Sequence, residues 1–259
     1  MDHDKHMDYV AVGFDPPLDG QQVFARGHYG LLFEVLKQDN PSTATWLHTH
    51  ESPKPFSTLT YYTNDGYLAG IRYALLTDEA ASIMYSAWRK VENSQQTLKL
   101  GLQKFKVTQV EIASGPNFQE MSESAPVGEV RLQFLSPTAF KQGKTHLTLP
   151  LPRNIFYRPL TIWQHYAPIP LRLRMADSWL DWCAQNIYVS EHQIETATIA
   201  ITYHESFTGF VGTATFAVYH GNDEQRRILQ ALAKIAAFSG IGHKTTMGMG
   251  AVHFQADSR

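Results

Sequence analysis

The feature that most constrains the fold is an order of local patterns that runs once and then runs again. Tyr9 to Phe14 reads as a strand closed by the Asp15-Pro16-Pro17 turn, and Phe24 to Lys37 carries Leu32, Val35 and Leu36 on one helical face. Pro41 opens a second short helix reaching about His48, where its missing N–H is harmless. Phe56–Thr63 and Tyr67–Leu76 flank Asn64-Asp65-Gly66, a hairpin signal. Thr77 caps a helix with Asp78 and Glu79 in its first turn and a stripe of Ile83, Met84, Ala87, Trp88 and Val91. Thr97 to Ile112 returns to strand. The order is β-α-β-β-α-β.

A polar segment, 114–126, follows and is the expected linker. Beyond it the order recurs: strand Val127–Leu135, a short strand Thr145–Leu149, helix Asn154–Tyr166 and a further helical stretch Ser178–Ile187. The hairpin Ile194–Tyr203/Gly209–Tyr219 comes next, then a helix capped by Asn222 with the stripe Ile228, Leu229, Leu232, Ile235 and Phe238. Two such units are two tandem ferredoxin-like domains of the α+β class, 1–113 and 127–259. RNA-recognition modules share this sheet topology, but a fold of this kind hosts many functions.

Composition narrows the class. One cysteine, Cys183, excludes an internal disulfide and a cysteine-based zinc site, and fits a reducing cytoplasm. The polar start and the lack of a long apolar run lead us to expect no signal peptide and no membrane partner. The net charge of −2 argues against a generic polyanion binder, yet its distribution is uneven. No acid lies between Val130 and Ala176, where Arg131, Lys141, Lys144, Arg153, Arg158, Arg172 and Arg174 fall. None lies between Gln225 and Ala256 either, so the second half can present a positive surface.

Phe238 to Gly250 reads F-S-G-I-G-H-K-T-T-M-G-M-G, with glycines at Gly240, Gly242, Gly248 and Gly250. Glycines allow positive φ and close backbone approach, while His243, Lys244 and Thr245 add donors, so the loop suits a phosphate or RNA backbone. It is neither a P-loop nor a dinucleotide fingerprint, since it follows a helix and leads into the last strand. A helix cap and turn would account for Gly240 alone.

Among the histidines, His48 and His50 stand at a helix end in L-H-T-H-E-S-P-K-P-F. A metal centre needs more ligands than this pair supplies, so no metal or cofactor is expected. Without metal, a histidine with a pKa near neutrality can act as general acid or base, and Lys54 is close enough in sequence to reach the same phosphate. His146-Leu147-Thr148 resembles half of an H-x-T phosphoesterase pair without a second half in the sequence. Tyr157, Trp163 and Tyr166 interleave with Arg153 and Arg158, a pattern that serves either base stacking or a core.

Four stretches together resemble a known family, the CRISPR-associated endoribonucleases that process precursor guide RNA (the Cas-six family). They are Ser239–Val252, Gly209-Phe210-Val211-Gly212, Leu151–Trp163, and Leu47-His48 followed by Lys54-Pro55-Phe56-Ser57. The resemblance implies metal-independent cleavage within each repeat of a prokaryotic CRISPR transcript, by 2′-hydroxyl attack, giving a 2′,3′-cyclic phosphate and a 5′-hydroxyl. His48 matches the family's catalytic histidine, with His50 as the alternative, Lys54 a lysine that assists at the phosphate, and Tyr29 a third candidate. The glycine loop would contact the repeat backbone, and Arg153, Arg158, Arg172 and Arg174 its stem. The partners implied are the repeat RNA and proteins of a CRISPR effector complex, with the chain a monomer or homodimer. The alternative is a non-catalytic RNA-binding subunit of such a complex, which has no need of L-H-T-H-E-S-P-K.

Overall fold

A computed structural model describes residues 6–168 and 176–255. The first half contains β1 (His6–Asp19), α1 (Ala25–Asp39), α2 (Pro41–Thr49), β2 (Phe56–Tyr62), β3 (Tyr67–Leu75), α3 (Asp78–Ser94), β4 (Leu98–Leu100) and β5 (Gln103–Asn117). After α4 (Phe118–Ser122) come β6 (Glu129–Thr138), β7 (Phe140–Gln142), β8 (Thr145–Leu147), α5 (Pro152–Tyr166) and α6 (Ala176–Asn186). The chain then runs through β9 (Ile187–Ala200), β10 (Ser206–Val218), α7 (Asp223–Ser239) and β11 (Val252–Gln255).

The first sheet has the order β2-β3-β1-β5-β4 and the second β11-β6-β10-β9, every pairing antiparallel. Setting β4 aside, both sheets place the closing strand beside the first strand, with the hairpin on the other side. That is the ferredoxin-like order, twice.

Local chemistry explains most boundaries. Asn222 and Gln225 exchange bonds as a capping box at α7, and Thr77 accepts the Ala80 N–H at α3. Besides the additional strand β7 and a shift in the β9 bounds, the structure differs from the sequence reading in three places that bear on how the halves join. β1 does not end at Asp15-Pro16-Pro17. Its ladder to β3 slips between Gly13 and Leu18 and resumes at Leu18–Leu68, because prolines lack the N–H a regular ladder needs. Thr97–Ile112 is not one strand but the β4–β5 hairpin, turned at Gly101 with φ +63°. Segment 114–126 carries the end of β5 and then α4, whose Phe118 and Met121 are buried in the second half's core.

The halves meet through α7. Met7, Ala74 and Leu76 of the first half share a core cluster with Leu232, Ile235 and Phe238. The Phe238 ring stacks on Tyr9 at 4.5 Å, and a Cβ on Gly115 would stand 2.4 Å from that ring, so glycine is required there. The Ser57 hydroxyl donates to the Phe238 carbonyl, joining β2 to the end of α7. Among the described residues no helix is long and apolar enough to cross a membrane.

Candidate active site and glycine-rich loop

α2 is short and is pinned at both ends. Asn40 accepts the N–H groups of Ser42 and Thr43, with Pro41 in the first turn. At the other end the Lys54 ammonium donates to the carbonyls of Leu47 (3.2 Å), His48 (2.7 Å) and His50. These are carbonyls that a helix C-terminus leaves without intrahelical partners, and a cation there also suits the helix dipole. Burial lowers the Lys54 pKa. In this geometry its three hydrogens serve α2.

The capped end sends its two histidines to different neighbours. His48 is exposed and faces α1, its ring edge-on to Phe33 at 5.1 Å and 6.2 Å from the Tyr29 ring. Burial raises the Tyr29 pKa, so that phenol keeps its proton at neutral pH. His50 lies against Trp46 and faces the end of α5, 6.5 Å from His165 and 6.4 Å from Tyr166. The Tyr166 hydroxyl donates to the Pro53 carbonyl and fixes that loop. An exposed imidazole beside a protonated phenol is equipped for proton transfer; the imidazole of His50 is held in an interface.

The glycine loop wraps the β2 edge of the first half. Gly240, Gly242, Gly248 and Gly250 all have positive φ, and Lys244 is left-handed. Ile241 N–H bonds the Gly250 carbonyl, His243 N–H bonds Ala139, and Gly250 N–H bonds Pro137, so these groups close the loop and hold it to the end of β6. The N–H groups of Lys244, Thr245 and Thr246 have no acceptor among the described residues. The Thr58 hydroxyl donates to the Thr246 carbonyl, and α1 packs on the same turn. The loop and the α1–α2 histidine site are therefore tied through one strand and one helix. A Cβ on Gly250 would stand 1.8 Å from the Ile241 carbonyl oxygen. Gly250→Ala is expected to cost at least about 2 kcal/mol, read as a melting-point fall on the order of 4–8 °C. Gly30→Ala, with nothing within 4 Å and helical backbone, is the control and should stabilise slightly.

The remaining sequence candidates are scattered. Lys244 pairs with Glu205 at 3.1 Å, and Thr245 is buried. Arg153 pairs with Asp181 of α6. Arg158 is half-buried, donates to the Ser239 carbonyl at 2.9 Å, and has its pKa pushed down to about 10 by desolvation of the guanidinium. It ties α5 to the end of α7. Arg172 and Arg174 lie outside the described residues. Sequence reasoning left His146 without a partner, yet its Nε2 lies 3.4 Å from Nδ1 of His243. Burial, then Lys244, His146 and Lys141, lower the His243 pKa. Ninety-seven residues separate that pair, so no local spacing reveals it. Among the described residues no three His, Cys, Asp or Glu side chains group as metal ligands.

The profile described as CRISPR-associated endoribonuclease Cas6 matches residues 132–252. A solved Cas6 product complex superposes with a TM-score of 0.83 at 25% identity, covering 96% of this chain and 99% of that one. The likeness to Cas6 thus extends over the whole fold, and the family profile over its second half. Among curated Cas6 endoribonucleases, that of Mycobacterium tuberculosis is 34% identical over 125 residues, 48% of this chain and 38% of the relative. That of Streptococcus thermophilus is 24% identical over 123 residues, 47% and 49%. The alignment thus spans under half the length of these Cas6 relatives. A Thermus thermophilus Cas6 structure shares the fold with a TM-score of 0.74 at 23% identity, over 97% and 99% of the chains. The profile match runs from β6 through the glycine loop into β11. His48 and Lys54 fall outside it.

Proposed function

We propose that this protein is an endoribonuclease that cuts CRISPR repeat RNA within the precursor transcript, without a metal ion. The observation that carries the reading is the exposed His48 imidazole beside the Tyr29 phenol, at the pinned end of α2, with the glycine loop docked on the neighbouring α1 and β2. RNA supplies its own nucleophile, so the protein needs only to move protons and stabilise charge. His48 takes the 2′-hydroxyl proton. The oxygen attacks the adjacent phosphorus, the 5′-oxygen leaves, and the products are a 2′,3′-cyclic phosphate and a 5′-hydroxyl. Tyr29, protonated at neutral pH, is positioned to return a proton to the leaving oxygen. The free N–H groups of Lys244 to Thr246 face phosphate oxygens of the repeat, and the other protein partners are those of a CRISPR effector complex.

The test is cleavage of end-labelled cognate repeat RNA in EDTA, with a 2′-deoxy residue at the cut site as control. A single cut in EDTA that the deoxy residue abolishes, and that survives in His50→Ala, is the expected result. Cleavage lost in EDTA overturns the metal-free chemistry. Tight binding without cutting places the protein with the RNA-binding subunits instead.

Lys54 gives a separate prediction. As the cap of α2 it acts on His48 by position, so Lys54→Ala should lower both the cleavage rate and the melting temperature. A pure phosphate contact would leave the melting temperature unchanged. Differential scanning fluorimetry beside single-turnover rates separates the two.

A further inference from the structure

Away from His48, a cleft of about 370 Å³ opens between the halves, bounded by the start of α1, the edge of β2, the ends of β6 and β9, and Met247 to Met249 of the glycine loop. Among the described residues no Asp, Glu, Lys or Arg lines it. Its walls are apolar at Leu135 and Met247, and polar at Thr60 and Thr198, with Tyr62 half exposed. His28 of α1 lines it too. That side chain is 4% exposed, and neither ring nitrogen has a hydrogen-bond partner among the described residues. Buried polar atoms are ordinarily paired, and each one left unpaired costs stability. Holding two of them at the wall of a cleft suits a ligand that brings the missing partners.

The chemistry of the lining selects that ligand. A phosphate would need cations or a row of free N–H groups, and the lining side chains carry no charge. Burial keeps His28 neutral, so it offers one donor and one acceptor on the same ring. A group to match is flat, uncharged, apolar on its faces, and edged with both donors and acceptors. A nucleobase meets all four conditions, and pockets for extruded bases combine edge hydrogen bonds with apolar or aromatic walls. The cleft volume lies within the range of small-molecule pockets. One wall is Met247–Met249, just beyond the N–H groups assigned above to the RNA backbone, so a nucleotide held there has its base within reach of the cleft.

We propose that this cleft receives one unpaired nucleobase of the repeat RNA, read at its hydrogen-bonding edge by His28. The inference rests on the RNA-processing reading and adds a specificity site to it.

The experiment uses the full chain carrying His48→Ala, so that bound RNA stays intact. The probe is the repeat RNA of the source organism's CRISPR array, with an abasic site moved through each unpaired position. One position is expected to lose about tenfold in affinity when its base is removed. His28→Leu keeps the bulk without the polar edge, and should weaken the intact RNA by a similar factor while being indifferent to the abasic site at that position. Ala200→Leu, on the exposed end of β9, narrows the cleft without touching the core and should behave likewise. An abasic scan with no position coupled to His28 and Ala200 overturns the proposal while leaving the RNA-processing reading intact. Failure of the intact repeat to bind at all overturns that reading first, and this one with it.

Discussion

Replacing His48 by alanine is expected to slow repeat cleavage by roughly 10²–10⁴-fold, the usual contribution of one general acid or base, while repeat binding changes by no more than a few-fold. At about 10³-fold the loss equals roughly 4 kcal/mol of transition-state stabilisation. The effect should be confined to chemistry because the ring is exposed, touches Phe33 and Tyr29, and makes no hydrogen bond among the described residues. Substitutions at such positions usually move stability by no more than about 0.5 kcal/mol. Single-turnover cleavage with saturating enzyme, beside filter binding of the same RNA, separates the two quantities. His50→Ala in the same assay should retain a rate within tenfold, since His50 lies against Trp46 and the end of α5. A reversal of the two variants would move the proton-transfer role to His50 and overturn the assignment.

The fold was legible because its signals are local. The helix caps Thr77 and Asn222, the Asn64-Asp65-Gly66 turn and the apolar stripes of α3 and α7 are written within a few residues of where they act. Counting them in order yields two β-α-β-β-α-β units, and the two sheets follow that count. The site was only half legible. The L-H-T-H motif shows two histidines at a helix end, but which neighbour each one faces depends on α1 and α5, more than ten residues away on either side. Lys54 reads as a phosphate contact in the sequence, because spacing cannot show that its ammonium folds back onto α2. Arg158 reads as a surface cation in an acid-free stretch, yet the helix register turns it inward to the end of α7. His28 gave no signal, since a single histidine on a helix reaches its partners through tertiary packing alone.

That buried histidine also sets the second large effect, on stability in acid. Burial, with no charged neighbour contributing, lowers the His28 pKa from 6.5 to about 4 in the folded chain. The unfolded chain keeps the ordinary value, so between pH 6.5 and 4 it binds more protons than the folded chain. Stability is therefore complete above about pH 6.5 and falls as the pH drops through this window, by roughly 3 kcal/mol in all at about 1.4 kcal/mol per unit. His243 shifts in the same direction and adds to the slope. Carboxylates titrate at the acid end of the window, so the wild-type curve alone does not isolate the histidine. The difference between wild type and His28→Leu does. Urea titrations at pH 7.5, 6, 5 and 4.5 should show a gap between the two that changes by about 1.4 kcal/mol per unit of pH below 6, with the leucine variant losing less. A gap that stays constant across that range would mean that His28 is hydrated or partnered in the folded chain. It would also remove the buried polar edge on which base recognition in the neighbouring cleft depends.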